Sequence, residues 1–227
     1  MSLNWERGNY PQFWNRRNYS RPTTAMALPN DITTVQSLIQ ILHQRTPHTG
    51  LFYRGSPSRD VFDQMHYVDC DEVYPNIYIG DGTTAKHKSY LKKIGITHVL
   101  NTAEGKSLSM VNTSQYFYAD VGIKYLGFPL LDHPSTNISD YFQEAADFIH
   151  SALCSGGKVY VHCLMGMSRS STCVLAYLML KKGMSAAEAT RTVKEKRAIH
   201  PNEGFLQQLA DLDNALKRGR TMGMWHY

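Results

Sequence analysis

The stretch Val159-Tyr160-Val161-His162-Cys163-Leu164-Met165-Gly166-Met167-Ser168-Arg169-Ser170-Ser171 constrains this chain more than any other. Lys158–His162 reads as a short strand, because it is rich in β-branched and aromatic residues. A helical pattern opens at Arg169 and runs to about residue 182. Between Cys163 and Arg169 there is room only for a tight loop. Such a loop turns successive backbone N–H groups inward, and with the helix N-terminus they form an anion-binding concavity. Gly166 lets the loop curl without a Cβ clash. Arg169 offers a planar fork that matches two oxygens of a phosphate.

Cys163 lies at the base of this positive bowl. The dipole and the donors favour its thiolate, so its pKa should fall below the free value of about 8.5. A thiolate beside a bound phosphate is a nucleophile aimed at phosphorus. Taken singly, each residue has a plainer reading. A cysteine at a strand end is commonly a small buried hydrophobe. An arginine opening a helix is commonly solvated, and His162 could be a hydrogen-bonded core residue. The specificity lies in the combination. Cys173 sits beside Val174 and Leu175 within the helical pattern and reads as core.

Around this unit, strand patterns alternate with helical ones. Strands are expected at Ile77-Tyr78-Ile79 within Val73–Ile79, at Ile96–Asn101 and at Lys124–Leu130. A helix capped by Thr83 or Thr84 should end at Gly95. Residues 139–153 place Phe142, Ala145, Phe148, Ile149 and Ala152 on one inner face. Helices are expected at about 169–182, 185–197 and 203–217, with Ser185 and Glu188 as a capping box. This order predicts an α/β fold, a central mostly parallel sheet flanked by helices.

Upstream, residues 31–45 read as a helix with Ile32, Val35, Leu38, Ile39 and Leu42 on one face and Asn30 or Asp31 as cap. Residues 46–68 hold Pro47, Gly50, Gly55 and Pro57 and read as a loop. Residues 1–30 show no period and read as a disordered tail, with an aromatic, basic docking arm as the sharper alternative. They carry Arg7, Arg16, Arg17 and Arg21 against Glu6, a large part of the formal +5 on the 227 residues. That mild excess points to neither a nucleic-acid nor a membrane partner.

Other classes are excluded by pattern. The longest strictly apolar run, Val174 to Leu180, is far short of a membrane span. No signal-peptide core follows the N-terminus. Cys70, Cys154, Cys163 and Cys173 show no C-x-x-C spacing, which argues against zinc or thioredoxin chemistry and for reduced thiols in the cytoplasm or nucleus. Neither dinucleotide nor P-loop glycine motif is present.

His162-Cys163-x5-Arg169-Ser170 resembles the active-site loop of the cysteine-based protein tyrosine phosphatase superfamily. With Gly95–Asn101, Asp132, Tyr177-Leu178-Met179 and Pro201-Asn202-Glu203-Gly204-Phe205, residues 71–217 are similar to the small dual-specificity phosphatases. The likeness is to vaccinia H1-related phosphatase and its atypical relatives. It implies a catalytic domain over 71–219, preceded by the tail at 1–30 and the helix and loop at 31–70, and followed by a tail at 220–227. The roughly 70 upstream residues are too few for a rhodanese-like domain of the kind carried by MAP kinase phosphatases.

The resemblance also implies roles. Cys163 attacks phosphorus, and Arg169 with the loop Leu164, Met165, Gly166, Met167 and Ser168 binds phosphate. Asp132, in the turn-rich Leu130–Asn137, protonates the leaving oxygen; a turn or cap residue is its plain alternative, and Asp120 its rival. Ser170 hydrogen-bonds the sulfur, His162 orients the loop through its ring nitrogens, and Asn202 steadies the loop or simply caps the last helix. No metal or cofactor is required. The implied partners are phosphorylated proteins, MAP kinases among them, dephosphorylated at tyrosine and at serine or threonine through a cysteinyl phosphate. Leu164, Met165 and Met167 depart from the vaccinia H1-related pattern. Two other readings stay open: a phosphoprotein-binding pseudophosphatase, and a phosphatase of lipid or RNA phosphates. Joint presence of Cys163, Arg169 and Asp132 opposes the first, and a loop interior without lysine opposes a polyanionic lipid.

Overall fold

The strand that leads into Cys163 is the middle one of a five-stranded sheet. The computed structural model describes residues 32–44 and 68–221. Expectations for residues 1–30, for a cap at Asn30 or Asp31, and for most of the segments 46–68 and 220–227 lie outside the described residues. The strands are β1 Cys70–Tyr74, β2 Ile77–Gly80, β3 His98–Asn101, β4 Lys124–Gly127 and β5 Val159–His162, in the spatial order β1-β2-β5-β3-β4. β2, β5, β3 and β4 run parallel, while β1 pairs antiparallel with β2. The sheet is therefore mostly parallel, as expected.

Side-chain alternation sorts two cores onto the two faces. Ile77, Ile79, Leu100, Val159 and Val161 point to the larger one, built with α4 Phe142–Cys154, α5 Arg169–Lys182, α6 Ala186–Lys194 and α7 Glu203–Thr221. Val99 and Tyr160 point to the other, with Ala85 of α2 Gly82–Ala85 and Leu91 of α3 Lys88–Lys93. Helix α5 is buried from Arg169 to Met179, the polar first turn Arg169–Thr172 included. The first helix, α1 Val35–His43, also enters the larger core through Leu38 and Ile41. It is fastened there by polar bonds. Asn214 brackets both backbone groups of Thr33 at 2.9 Å, and the Lys194 ammonium donates to Ile41 O at 2.7 Å.

Several boundaries differ from expectation. The cap of α1 is Thr34, in a reciprocal box with Ser37. Asp81, not Thr83 or Thr84, caps the helix after β2, which breaks at Lys86 and His87 into α2 and α3. Strand β1 escapes a hydrophobic search because Val73 is its one buried residue. A 3₁₀ turn, Ile138–Tyr141, precedes α4. Helix α6 stops at Lys194 rather than 197, which frees Arg197 for another task, while the Ser185–Glu188 capping box is present as read. Among the described residues no helix is long and apolar enough to cross a membrane.

Candidate active site

β5 is hydrogen-bonded on both sides, to β2 and to β3, and all four of its residues are buried. Its end at His162 delivers Cys163 to the C-terminal edge of the parallel strands, where open α/β sheets bind ligands. Cys163 is 1% exposed. The chain then folds around it before α5 begins at Arg169. Gly166 has φ 66°, and a Cβ there would collide with the Gly80 carbonyl and the Arg197 guanidinium. The expected glycine requirement is thus both conformational and steric.

The sulfur is surrounded by donors. Cys163 Sγ accepts from the Gly166 N–H at 3.2 Å and from the Ser170 hydroxyl at 3.4 Å. Burial alone would raise this thiol. The Ser170 hydroxyl and N–H, the Arg169 charge and the Met167 N–H outweigh it, and the net shift is downward. Cys173 provides the contrast. It is as deeply buried but has no such donors, and burial pushes its thiol well above the ordinary range.

Arg169 is 2% exposed and fixed from one side. Its Nη1 donates to the carbonyls of Leu130 at 3.0 Å and Ser109 at 3.1 Å. Its Nε is buried and has no hydrogen-bond partner, and Asp132 Oδ2 lies 3.5 Å from it. A buried guanidinium N–H left open beside the sulfur's donors is a place for an anionic oxygen.

Asp132 joins the same cluster. Its Oδ1 accepts from Ser168 Oγ at 2.8 Å and from Asn202 Nδ2 at 2.9 Å. The rival, Asp120, is held instead by Lys88 at 2.7 Å in an exposed 3₁₀ turn. Asn202 does two jobs with one side chain. Its Oδ1 accepts from the Phe205 N–H at 3.0 Å as a cap of α7, while its amide nitrogen holds the carboxylate. Its contact with the loop itself is only the backbone N–H, 3.4 Å from Ser168 Oγ. The side chain steadies Asp132 more directly than it steadies the loop.

His162 engages through one ring nitrogen rather than two. Nδ1 lies 3.2 Å from Cys163 O, and Nε2 is buried without a partner. Burial holds its pKa down to about 4, with Arg169 and Lys86 adding to the effect, so the ring is neutral and stacks on Tyr160. Leu164 and Met165 are exposed at the lip, and Met167 is half-buried.

Residues unremarked in sequence complete the surroundings. Arg197 donates to Gly166 O at 2.8 Å and to Met165 O at 3.3 Å, and pairs with Asp69 and Asp71. In sequence Arg197 looks like a charge at the end of a helix. The one available signal is the pair of carboxylates Asp69 and Asp71, more than 120 positions upstream.

Residues 77–215 match the family model described as the dual specificity phosphatase catalytic domain. The chain is 47% identical over 150 residues to dual specificity protein phosphatase 26 of Homo sapiens, covering 66% of this chain and 69% of that relative. Human DUSP28 aligns in structure with a TM-score of 0.58 at 26% identity, over 67% of this chain and 97% of that one. DUSP15 aligns with a TM-score of 0.55 at 31% identity, over 66% and 96%. With sequence, fold and site in agreement, the chain belongs to the dual specificity phosphatases, as an atypical member of the protein tyrosine phosphatase superfamily and a protein phosphatase.

Proposed function

We propose that this phosphatase hydrolyses phosphotyrosine and phosphoserine or phosphothreonine in proteins through a cysteinyl-phosphate intermediate. The observation that carries this reading is the convergence on Cys163 Sγ of the Gly166 N–H at 3.2 Å and the Ser170 hydroxyl at 3.4 Å, beside an Arg169 Nε that makes no hydrogen bond. In the first step the thiolate attacks phosphorus and the bond to the leaving oxygen breaks. Asp132 gives its proton to that oxygen, so the product departs as a phenol or alcohol. Arg169 and the inward N–H groups carry the charge on the phosphoryl oxygens. In the second step water attacks the phosphocysteine, and the Asp132 carboxylate takes up a water proton. The S–P bond then breaks and inorganic phosphate leaves. The Ser170 hydroxyl, already on the sulfur, stabilises the returning thiolate.

Turnover of phosphotyrosyl and phosphothreonyl peptides by wild type and by Cys163→Ser tests the reading. The wild type should release phosphate from both, and the variant should lose about 10⁴-fold or more in kcat while still binding phosphate. Full activity in Cys163→Ser would remove the nucleophile assignment. Activity on one peptide alone would remove the dual specificity.

A further inference from the structure

Besides the Ser170 hydroxyl, the donors that meet the Cys163 sulfur are backbone N–H groups, so something must hold the loop in the conformation that aims them. Across a planar trans peptide, the C=O of one residue and the N–H of the next point in opposite directions. An N–H can therefore be aimed inward by gripping the preceding carbonyl from outside. The loop is gripped in this way along its length. Leu164 O accepts from the Gly82 N–H at 3.0 Å, and Met167 O from the His200 N–H at 2.8 Å. Ser168 O accepts from the Thr172 N–H at 3.0 Å and from its hydroxyl at 2.8 Å.

The two carbonyls in between, those of Met165 and Gly166, are held by one side chain from another part of the fold. Arg197 Nη2 donates to Met165 O at 3.3 Å, and Arg197 Nε donates to Gly166 O at 2.8 Å. The N–H groups that follow these carbonyls belong to Gly166 and Met167. They are the same two loop N–H groups that favour the Cys163 thiolate, the first at 3.2 Å from its sulfur. The guanidinium is itself anchored. Nη1 reaches Asp69 Oδ1 at 2.6 Å and Asp71 Oδ2 at 2.7 Å, and Nη2 reaches Asp69 Oδ2 at 2.6 Å. Arg197 is 5% exposed and packs directly behind Gly166, where an added Cβ would strike it. Two carboxylates more than offset its charge, so it acts on the site through geometry rather than through its field.

We propose that Arg197 is a positioning residue of the phosphatase: locked to Asp69 and Asp71, its fork grips the Met165 and Gly166 carbonyls from behind and aims the Gly166 and Met167 N–H groups at the sulfur and the bound phosphate. The inference rests on the assignment of Cys163 as the nucleophile. It requires a fork, since only a guanidinium serves two carbonyls and two carboxylates at once, so lysine cannot replace it.

The test is the pH profile of Cys163 alkylation by iodoacetamide, followed on the Cys163 peptide by mass spectrometry, with inhibition by inorganic phosphate measured in parallel. Arg197→Lys keeps the charge and loses the fork. Its alkylation midpoint should move up by about one pH unit, and phosphate should inhibit about tenfold more weakly, the scale of one charge-assisted hydrogen bond. Asp71→Asn removes one anchor from a partly exposed position and should shift both readings the same way by a smaller, severalfold amount. It carries the test if the lysine variant does not fold. A folded Arg197→Lys or Asp71→Asn protein with the wild-type midpoint and wild-type phosphate inhibition overturns the proposal. A wild-type Cys163 that titrates as an ordinary thiol instead overturns the nucleophile assignment, a separate result.

Discussion

Two loops bring together the groups proposed to react, and they are held in opposite ways. The loop from Cys163 to Arg169 is anchored at both ends in the core, with Leu164 and Met165 exposed at its lip. Cys163 is 1% and Arg169 2% exposed, and the carbonyls of Leu164 to Ser168 are taken up by Gly82, Arg197, His200 and Thr172. The acid-bearing loop lies on the surface, with Leu131 to Ser135 all exposed. It is held by side chains and by the close approach of Gly204 to Pro134. The difference suits the chemistry proposed for each loop. Donors that stabilise a phosphoryl group are worth most when they need no reorganisation. A proton donor must meet leaving oxygens of different reach and let product out, which a lightly fastened loop allows. On the proposed mechanism, the densely bonded loop lies where charge develops and the exposed, lightly fastened loop where groups come and go.

The sharpest way to break the rigid side is Arg169→Lys. Lysine keeps the charge but cannot donate to Leu130 O and Ser109 O while presenting a second N–H to phosphate. kcat/KM should fall about 10³-fold, and by the same factor for aryl phosphates with good and poor leaving groups. Steady-state kinetics on two such esters measure this. A loss confined to the poor leaving group would place Arg169 with the acid loop instead.

Next in size is a stability effect confined to the rigid side. His162 is fully buried, and burial lowers its pKa from 6.5 to about 4. The unfolded chain therefore takes up a proton between those values while the folded chain does not. Stability from this group is complete above about pH 6.5 and declines as pH falls toward about 4, by roughly 3 kcal/mol in all. Urea unfolding at pH 7 and pH 4.5 should show the loss, and His162→Gln should flatten the difference between the two. An unchanged slope in the variant would mean that other groups account for the acid sensitivity.

The same contrast explains what could be read from sequence. The nucleophile loop was legible because its parts are consecutive: a strand, a cysteine, a glycine, an arginine and a helix start, all within Val159–Ser171. Its outer supports were not. Arg197 sits 126 and 128 positions from Asp71 and Asp69, and no local pattern joins them. Asp132 is legible only through the family resemblance, since its fastening to Asn202 spans 70 positions. β2, β3 and β5 lie in apolar or aromatic runs; β4 has no buried residue and is legible only within the longer Lys124–Leu130, and β1, an antiparallel edge with one buried residue, does not stand out. The break between α2 and α3 was hidden because Lys86 and His87 suit a helix by composition, although the Asp81 cap settles only the first turn.

On the adjustable side, Asp132→Asn keeps the shape and removes the proton. The two donors to its Oδ1, the Ser168 hydroxyl and the Asn202 amide, remain in place. An aryl phosphate with a poor leaving group should slow about a hundredfold, and one with a good leaving group by only a few-fold. Uniform slowing would point to a structural part for Asp132. The comparison of the two variants is then complete, because Arg169→Lys should be indifferent to leaving group and Asp132→Asn sensitive to it.

The smallest expected effect tests how the acid loop is tethered. Gln208 of α7 bridges it through both ends of its amide, donating to Thr136 O at 2.9 Å and accepting from the Ser139 N–H at 2.9 Å. Neither contact touches the sulfur or Arg169. Gln208→Ala removes these two neutral, partly buried hydrogen bonds, each worth about 1 kcal/mol, together with the amide's bond to Gly204 O within α7. The loop should open more often, so poor leaving groups should slow about threefold to tenfold while the Cys163 alkylation profile stays at the wild-type midpoint. A shifted alkylation midpoint in Gln208→Ala would show that the two loops are mechanically coupled and that the division between a rigid and an adjustable half is wrong.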